Sequence, residues 1–333
     1  MYKNTRQITD FVTDKIKKCR ILVIGDVMLD KYYFGEVKRI SPEAPVPITR
    51  VTKIKETLGG AANVAHNLAL LGCDTYLLGT VGKDVHCDSL IEKLQVRGIH
   101  HDGLLATDAP TTTKVRIMGG HQQMMRLDFE EVNPVSDDVE KKLFAYLKER
   151  LDEGIDSIII SDYGKGLCTS NVCQHTIEMT KKYNVPVIID PKGSEWNKYR
   201  GADYITPNLK EINEVISSPI LNEDEAVKKA AQWTRRKFGI KNIVLTRSEK
   251  GLSFLTSRKV IHIPTLAQEV FDVSGAGDTV ISVFGAALGG KVCPEDAAYL
   301  ANLAASVVVA KLGTYAVSNA ELLEALKNRL EEE

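Results

Sequence analysis

Two glycines and an acid stand directly before a long apolar stretch of the chain, in the segment Gly275-Ala276-Gly277-Asp278. The apolar stretch, Val280 to Leu288, has the pattern of a buried helix. The amides of a helix's first turn have no partner within the helix and carry the positive end of its dipole. Glycines let a phosphate approach those amides closely. Gly275, Ala276 and Gly277 therefore predict an anion hole.

Asp278 would lie beside this anion hole, where a carboxylate is not needed to bind phosphate because like charges repel. In phosphoryl transfer, a carboxylate orients the attacking hydroxyl and accepts its proton, while amides stabilise the moving phosphoryl group. Asp278 is therefore a candidate general base. A glycine-rich turn followed by an acid that the helix dipole favours is the alternative, and the local residues do not separate the two.

Two commoner phosphate-binding patterns do not fit the chain. The Walker pattern GxxxxGK[ST] is absent, since Gly82-Lys83 lacks both the upstream glycine and the hydroxyl residue. The pattern GxGxxG also fails, because Val280 stands where the third glycine is required. The chain is therefore neither a P-loop protein nor an ordinary Rossmann dehydrogenase.

Short apolar runs alternate with helical patterns along the chain and predict the scaffold of the site. The runs cover residues 20–26, 74–79, 157–162, 185–190, 202–206 and 242–246. This alternation predicts an α/β fold of three layers, α/β/α, with a mostly parallel central sheet. Ligands bind at the carboxyl ends of such strands. We expect a polar rim there, formed by Asp26, Asp162, Asp190 and Thr246.

Two segments, residues 31–56 and 110–130, depart from this alternation. The first looks like short strands interrupted by prolines, which restrict strands to sheet edges. The second has hairpin spacing around Gly119-Gly120. We expect the two segments to pair into a small β lid over the active site, within a single domain that spans residues 1–333.

The composition excludes several classes of protein. Forty-three basic and 44 acidic residues give a net charge of −1, which provides no reason to expect nucleic acid or a membrane surface as a partner. Six scattered cysteines lack zinc-site spacing and predict reduced thiols. There is no signal-peptide pattern and no apolar run of about 18 residues, so a cytoplasmic protein is expected.

Three motifs together resemble the ribokinase or PfkB family of carbohydrate kinases, over about residues 21–317. They are residues 59–63 (GGAAN), 207–211 (PNLKE) and 272–278 (DVSGAGD). The resemblance implies a ribokinase-like fold and ATP-dependent sugar phosphorylation with Mg²⁺, and it leaves a requirement for a monovalent cation open. It also implies a homodimer formed through the lid.

The resemblance assigns sugar binding to Asp30 and to the GGAAN segment, chiefly Gly59, Gly60 and Asn63. The Asn63 amide can donate to one sugar hydroxyl and accept from another. On pattern alone, the same segment is a tight turn before a packed helix.

The nucleotide side is expected at Asn208, Glu211, Thr246, Gly251 and Asn302. Asn208 and Glu211 lie three apart at the start of a helix, so both side chains can hold Mg²⁺ and its waters near the ATP phosphates. Helix capping by Asn208 is the competing account, and both can hold. The resemblance implies a nucleotide-side turn at Thr246 to Gly251 and an adenine contact at Asn302.

Further segments narrow the resemblance to the branch that phosphorylates D-glycero-D-manno-heptose 7-phosphate at its anomeric hydroxyl, toward ADP-heptose and the lipopolysaccharide core. They include residues 25–30 (GDVMLD), 40–47 (ISPEAPVP) and 161–166 (SDYGKG). The HxGH motif of a nucleotidyltransferase is absent, so a separate kinase is expected. A phosphorylated sugar needs cations at its far end. The candidates are Arg39, Arg116, Lys165 and Lys192.

The sequence leaves three alternative functions open. Another sugar or sugar-phosphate kinase of the same family would share Asp278 and differ in the lid. A nucleoside kinase would prefer an unphosphorylated, aromatic substrate. A regulatory sugar-binding protein on the same fold would lack catalysis, although intact Asp278, Asn208 and Glu211 argue against it.

Overall fold

The computed structural model describes residues 2–120, 122–267, 269–311 and 313–332. The predicted domain range of 1–333 includes Met1 and Glu333, which lie outside the described residues. The predicted lid range of 110–130 includes His121, which also lies outside them.

The helices lie between the strands along most of the chain. Their bounds are α1 (Thr5–Thr13), α2 (Ala61–Leu70), α3 (Val85–Val96), α4 (Asp137–Asp152), α5 (Ser170–Tyr183), α6 (Leu209–Val215), α7 (Asp224–Phe238), α8 (Ala276–Gly289), α9 (Pro294–Val309) and α10 (Asn319–Glu332). No helix of the described ranges combines the length and apolar character that a membrane crossing requires.

Within the residues that the structure describes, the strands form two separate sheets. Their bounds are β1 (Arg20–Gly25), β2 (Val27–Ile40), β3 (Pro47–Gly60), β4 (Asp74–Val81), β5 (His100–Ala106), β6 (Thr113–Gly119), β7 (Gln122–Phe129), β8 (Ser157–Ser161), β9 (Val187–Asp190), β10 (Tyr204–Ile205), β11 (Asn242–Thr246), β12 (Leu252–Leu255) and β13 (Val260–Ile263).

The larger sheet has the order β13-β12-β11-β10-β9-β8-β1-β4-β5 in the described part of the chain. All neighbours pair in parallel except β11 with β12 and β12 with β13, which are antiparallel. The predicted mostly parallel α/β sheet is therefore confirmed. The prediction missed β5, which carries polar residues at its start, and β12 and β13, which are antiparallel strands outside the alternation of parallel strands and helices.

Alternate residues of the central strands enter two hydrophobic cores, one on each face of the sheet. Val23 of β1 belongs to the core that includes α2, α8 and α9, whereas Leu22 and Ile24 belong to the core that includes α4, α5 and α7. Side chains of a strand point to opposite faces in turn, so continuous apolar runs are required where both faces are covered. Helix α8 is buried from Asp278 to Gly289, as its apolar sequence predicts.

The smaller sheet has the order β3-β2-β6-β7 in the described residues, with β2 and β6 parallel. The two departing segments therefore share one sheet. The expected short strands are wrong, since β2 and β3 each run for 14 residues. Pro42 and Pro45 lie in the turn between these strands and Pro47 is the first residue of β3, so no proline interrupts either strand.

Candidate active site

Helix α8 begins at Ala276, and its N-terminus is shaped by the glycine before it. Gly275 has a φ of 82°, in the left-handed region that favours glycine. A Cβ on Gly277 would meet no atom within 4 Å. The surface in front of these amides is therefore open to a ligand.

The amides themselves differ in their availability. Ala276 donates its amide to the Val273 carbonyl at 3.2 Å, so the prediction of an anion-hole amide at Ala276 is not supported. Among the described residues, the amides of Gly275, Gly277 and Asp278 have no acceptor. These three can bind an anion.

Asp278 lies in the first turn of α8 with only 8% of its surface exposed. Asn63 Nδ2 donates to its Oδ2 at 2.6 Å, and the Tyr163 hydroxyl donates to its Oδ1 at 2.8 Å. Burial raises the pKa of Asp278, the two hydrogen bonds oppose that rise, and the charge of Asp30 adds to it. The carboxylate is thus held in one orientation and has a higher proton affinity than an ordinary aspartate.

The sequence did not predict the hydrogen bond between Tyr163 and Asp278. In this segment the sequence singled out Asp162 and Lys165 instead, because a charged residue at a strand end can be recognised from neighbouring residues alone. Tyr163 and Asp278 are 115 residues apart, and a tyrosine in a turn carries no mark of its distant partner.

A cavity of about 190 Å³ opens in front of α8 and collects much of the predicted rim. Its lining residues come from the carboxyl ends of β8, β9, β10 and β11 and from the first turns of α6 and α8. They are Asp162, Tyr163, Asp190, Pro191, Lys192, Thr206, Asn208, Glu211, Thr246, Gly275, Gly277 and Asp278.

Asn208 and Glu211 form a capping box at the start of α6. Asn208 Oδ1 accepts the Glu211 amide and Glu211 Oε2 accepts the Asn208 amide, both at 2.9 Å. The helix-capping account of Asn208 is therefore confirmed. Glu211 Oε1 remains directed to Lys192 Nζ at 3.9 Å.

Two carboxylates face this part of the cavity with little compensation. Burial and the charges of Glu211 and Asp278 raise the pKa of Asp190, and burial raises that of Glu211. Thr206 donates to Asp190 at 3.4 Å, and Lys192 is the nearby cation. Hard divalent cations such as Mg²⁺ take oxygen ligands and retain water, so this donor set fits such an ion.

The remaining nucleotide-side predictions have different outcomes. Thr246 forms a bridge with Asn208 and lines the cavity. Gly251 follows the 3₁₀ turn Ser248–Lys250 and does not line the cavity. Asn302 is buried and donates its side-chain amide to the Pro264 carbonyl at 2.8 Å. One of the two N–H groups of this side-chain amide is therefore used within the protein, and the adenine contact of Asn302 stays a prediction.

The sugar-side residues meet at the base of the smaller sheet. Gly60 is the N-cap of α2, which begins at Ala61 and carries Asn63 toward Asp278. A Cβ on Gly59 would lie 2.5 Å from Asp30 Oδ2, so a larger residue there would displace this carboxylate. Asp30 is paired with Arg116 from the adjacent strand β6.

The four candidate cations lie in different places. Lys192 lines the cavity beside Glu211, and Lys165 lines a second cavity of about 340 Å³, where its Nζ donates to Glu130 at 2.7 Å. Arg39 is exposed, and it lies further along β2 than Asp30 by roughly 30 Å at the usual rise per strand residue. The structure therefore does not bring Arg39 to the site within one chain.

Asp26 and Asp162 anchor the site from below. Asp26, which is 3% exposed, accepts the amides of Tyr163, Lys165 and Leu167. Asp162 accepts from the Gly164 amide, the Tyr199 hydroxyl and Lys198. Both acids therefore have hydrogen-bond partners within the protein.

Comparison with known proteins identifies similar sequences over nearly the whole chain. The sequence model described as pfkB family carbohydrate kinase matches residues 18–321. The bifunctional protein HldE of Histophilus somni is 45% identical over 318 residues, which are 95% of this chain and 65% of that protein. The HldE of Yersinia enterocolitica is 44% identical over 320 residues, with the same coverage. The chain spans about 65% of the length of these relatives.

Solved structures share the fold at low sequence identity. Ribokinase of Arabidopsis thaliana, complexed with ribose and ATP, superposes with a TM-score of 0.73 at 22% identity and covers 93% of this chain and 99% of its own. Phosphofructokinase-2 of Escherichia coli, in complex with potassium, gives a TM-score of 0.76 at 18% identity with the same coverage. The ribokinase-like fold is therefore confirmed.

Proposed function

The chain belongs to the pfkB family of carbohydrate kinases, and on this premise we propose that it phosphorylates the anomeric hydroxyl of D-glycero-D-manno-heptose 7-phosphate with ATP. The similarity to HldE and the three narrowing segments support this substrate. The observation that carries the chemistry is the buried Asp278 carboxylate beside the unpaired amides of α8. The product would serve ADP-heptose and lipopolysaccharide core synthesis.

The proposed reaction uses Asp278 and the α8 amides in separate roles. Asp278 accepts the proton of the sugar hydroxyl as its oxygen forms a bond to the γ-phosphorus of ATP. The bond from that phosphorus to the bridging oxygen breaks, and ADP leaves with the electron pair. The amides of Gly275, Gly277 and Asp278 stabilise charge on the phosphoryl group during transfer.

Mg²⁺ bound near Glu211 would neutralise charge on the ATP phosphates. Lys192 lies on the same side of the cavity, 3.9 Å from Glu211. Its position favours a contact with ATP over the contact with the sugar phosphate that the sequence predicted. A monovalent cation requirement is a further proposal that ion replacement in the assay would test.

Glu211→Gln tests the metal role. The glutamine keeps an oxygen for the Asn208 amide, so the capping box can persist while the charge is lost. We expect the Mg²⁺ concentration for half-maximal activity to rise by about tenfold, with little change in the sugar KM. Metal titration at fixed sugar measures both. Glu214→Gln, an exposed acid on the same helix, is the matched control, and an unchanged metal dependence in Glu211→Gln would leave Glu211 with a structural role only.

A panel of acceptors with ATP tests the substrate proposal. The panel contains heptose 7-phosphate, unphosphorylated heptose, fructose 1-phosphate, fructose 6-phosphate, ribose and a nucleoside. We expect the highest kcat/KM with heptose 7-phosphate, and phosphorus NMR should locate the new phosphate on the anomeric carbon. A preference for an unphosphorylated sugar or a nucleoside would refute the heptose proposal and leave the family membership intact.

The lid cations are proposed to bind the phosphate that the sugar already carries. Arg116 and Lys165 are partly buried. Arg116 pairs with Asp30, and Lys165 pairs with Glu130 while its backbone amide donates to Asp26. For whichever of the two binds that phosphate, replacement by alanine should lower the preference for heptose 7-phosphate over unphosphorylated heptose by about 10- to 150-fold. The ratio of kcat/KM values cancels effects on Asp30 or the lid. Arg39→Ala is the control with no expected change in this ratio, and unchanged ratios in both variants would contradict the assignment.

The lid is also proposed to form a homodimer interface. Its strands expose large apolar side chains at Ile54, Met125, Leu127 and Phe129, each more than two fifths exposed. A patch of this kind on one small sheet is typical of a surface that binds another protein. Covering it with the same sheet of a second chain would bury these side chains.

A further inference from the structure

The loop after β8, residues 162–168, is held by a buried carboxylate from another strand. Asp26 accepts the amide of Tyr163 at 2.8 Å, that of Lys165 at 3.0 Å and that of Leu167 at 3.2 Å. Three hydrogen bonds to one carboxylate fix the backbone of this loop, whose conformation would be less restricted without them. Tyr163 therefore leaves the backbone at a defined position.

This anchoring delivers the Tyr163 hydroxyl to the proposed general base. It donates to Asp278 Oδ1 at 2.8 Å, while Asn63 Nδ2 donates to Oδ2 at 2.6 Å. Each carboxylate oxygen thus has one donor from a different element, and rotation of the carboxylate would break both bonds. The remaining lone pairs are restricted to directions that these two donors leave open.

Other charged groups around Asp278 do not replace this donor. The groups that share its surroundings are Asp30 of β2, Asp162 of the loop after β8, Asp190 of β9, Glu211 of α6 and Lys192 of the loop after β9. Most are acids, and the charge of Asp30 raises the pKa of Asp278. Burial and the charges of Asp278 and Asp190 raise the pKa of Tyr163 well above its usual value, so the phenol stays protonated and donates.

We propose that Tyr163 is a positioning residue for the phosphoryl transfer: its hydroxyl, delivered by the Asp26-anchored loop, orients the Asp278 carboxylate and stabilises its charged form. The role in the reaction rests on the proposed kinase function, but the effect of Tyr163 on Asp278 does not depend on which sugar is the substrate. Asn63 alone would hold only one of the two oxygens, so the carboxylate could turn away from the sugar hydroxyl.

Tyr163→Phe tests this role because it removes the hydroxyl and keeps the ring. We expect kcat to fall by about 10- to 100-fold, with KM for ATP and for the preferred sugar within about twofold of the parent. The acid limb of the pH profile should move to higher pH, because loss of a donor to the charged form raises the pKa of Asp278. Tyr146→Phe, which removes a tyrosine–aspartate hydrogen bond between α4 and β5, is the matched control and should leave the profile unchanged.

Carbon-13 NMR of aspartate carboxyl groups provides a readout that needs no turnover. The Asp278 signal is assigned by its loss in Asp278→Asn, and its titration is then compared between the parent and Tyr163→Phe. A titration at higher pH in Tyr163→Phe supports the proposal, and an unchanged titration overturns it. If no sugar in the panel is phosphorylated, the kinase proposal fails while this measurement still decides whether Tyr163 acts on Asp278.

Discussion

Asp278→Asn is expected to lower kcat by about 10²- to 10⁴-fold, the range for loss of a positioned general base. Asparagine has nearly the same shape but cannot accept the proton of the sugar hydroxyl. ATP and sugar affinities should stay close to those of the parent, because ATP binding uses the α8 amides and sugar binding uses the residues at the base of the smaller sheet. Steady-state kinetics and calorimetric titration of both ligands measure the two effects separately.

Asp84→Asn is the control for a general effect of losing a hydrogen-bonded carboxylate. Asp84 accepts two backbone amides at the start of α3 and the backbone amide of Thr111, and it lies outside the cavity of α8. Its replacement should leave kcat within a few-fold of the parent. Near-normal turnover in Asp278→Asn would remove Asp278 from the proposed mechanism.

The pH dependence of the parent follows from the burial of Asp278. The base acts only when it is deprotonated, so activity is lost as the pH falls through its pKa in the folded protein. Because burial raises that pKa, the loss should begin at a higher pH than for an exposed aspartate.

Gly277→Val is expected to lower kcat/KM for ATP by about 10²-fold or more, comparable to the loss of an oxyanion-hole donor. Gly277 lines the cavity, and the space that its Cβ would occupy holds no protein atom within 4 Å. The valine side chain would therefore fill the volume that a phosphate needs without colliding with the protein. The folded state should be retained, because valine is a better helix residue than glycine.

Thermal unfolding and ATP kinetics together check this expectation. Ala276→Val is the matched control, since Ala276 is in the same helical turn but does not line the cavity, and its amide is already bonded to Val273. We expect a much smaller loss in Ala276→Val. Equal losses of kcat/KM in the two variants, or an unfolded Gly277→Val, would count against an anion hole at Gly277.

Several features of the site were available in the sequence because they depend on neighbouring residues. The amides at the start of α8 lack a partner within the helix, as in any helix, and the glycines that expose them are close to Asp278 in the sequence. The capping box joins residues only three apart, Asn208 and Glu211. The central strands were predictable because a strand that is covered on both faces must be apolar along its length.

The tertiary structure alone decided which distant groups meet. Asp278 is 215 residues from Asn63 and 115 from Tyr163, and no local pattern indicates either hydrogen bond. The same holds for Asn302, whose side-chain amide donates one hydrogen bond to the Pro264 carbonyl. A polar side chain has many possible partners in the sequence, and only the packing of helices and strands determines which partner it meets.

In the lid, too, the sequence predicts the local structure and the tertiary structure decides which residues meet. The sequence indicated extended segments, but only the structure shows that β2 and β3 each run for 14 residues, with Pro42 and Pro45 in the turn between them. That length carries Arg39 away from Asp30, while pairing of β2 with β6 brings Arg116 to it. A charged residue is visible in any sequence, but its distance from a site is set by strand register, which long-range backbone hydrogen bonds determine.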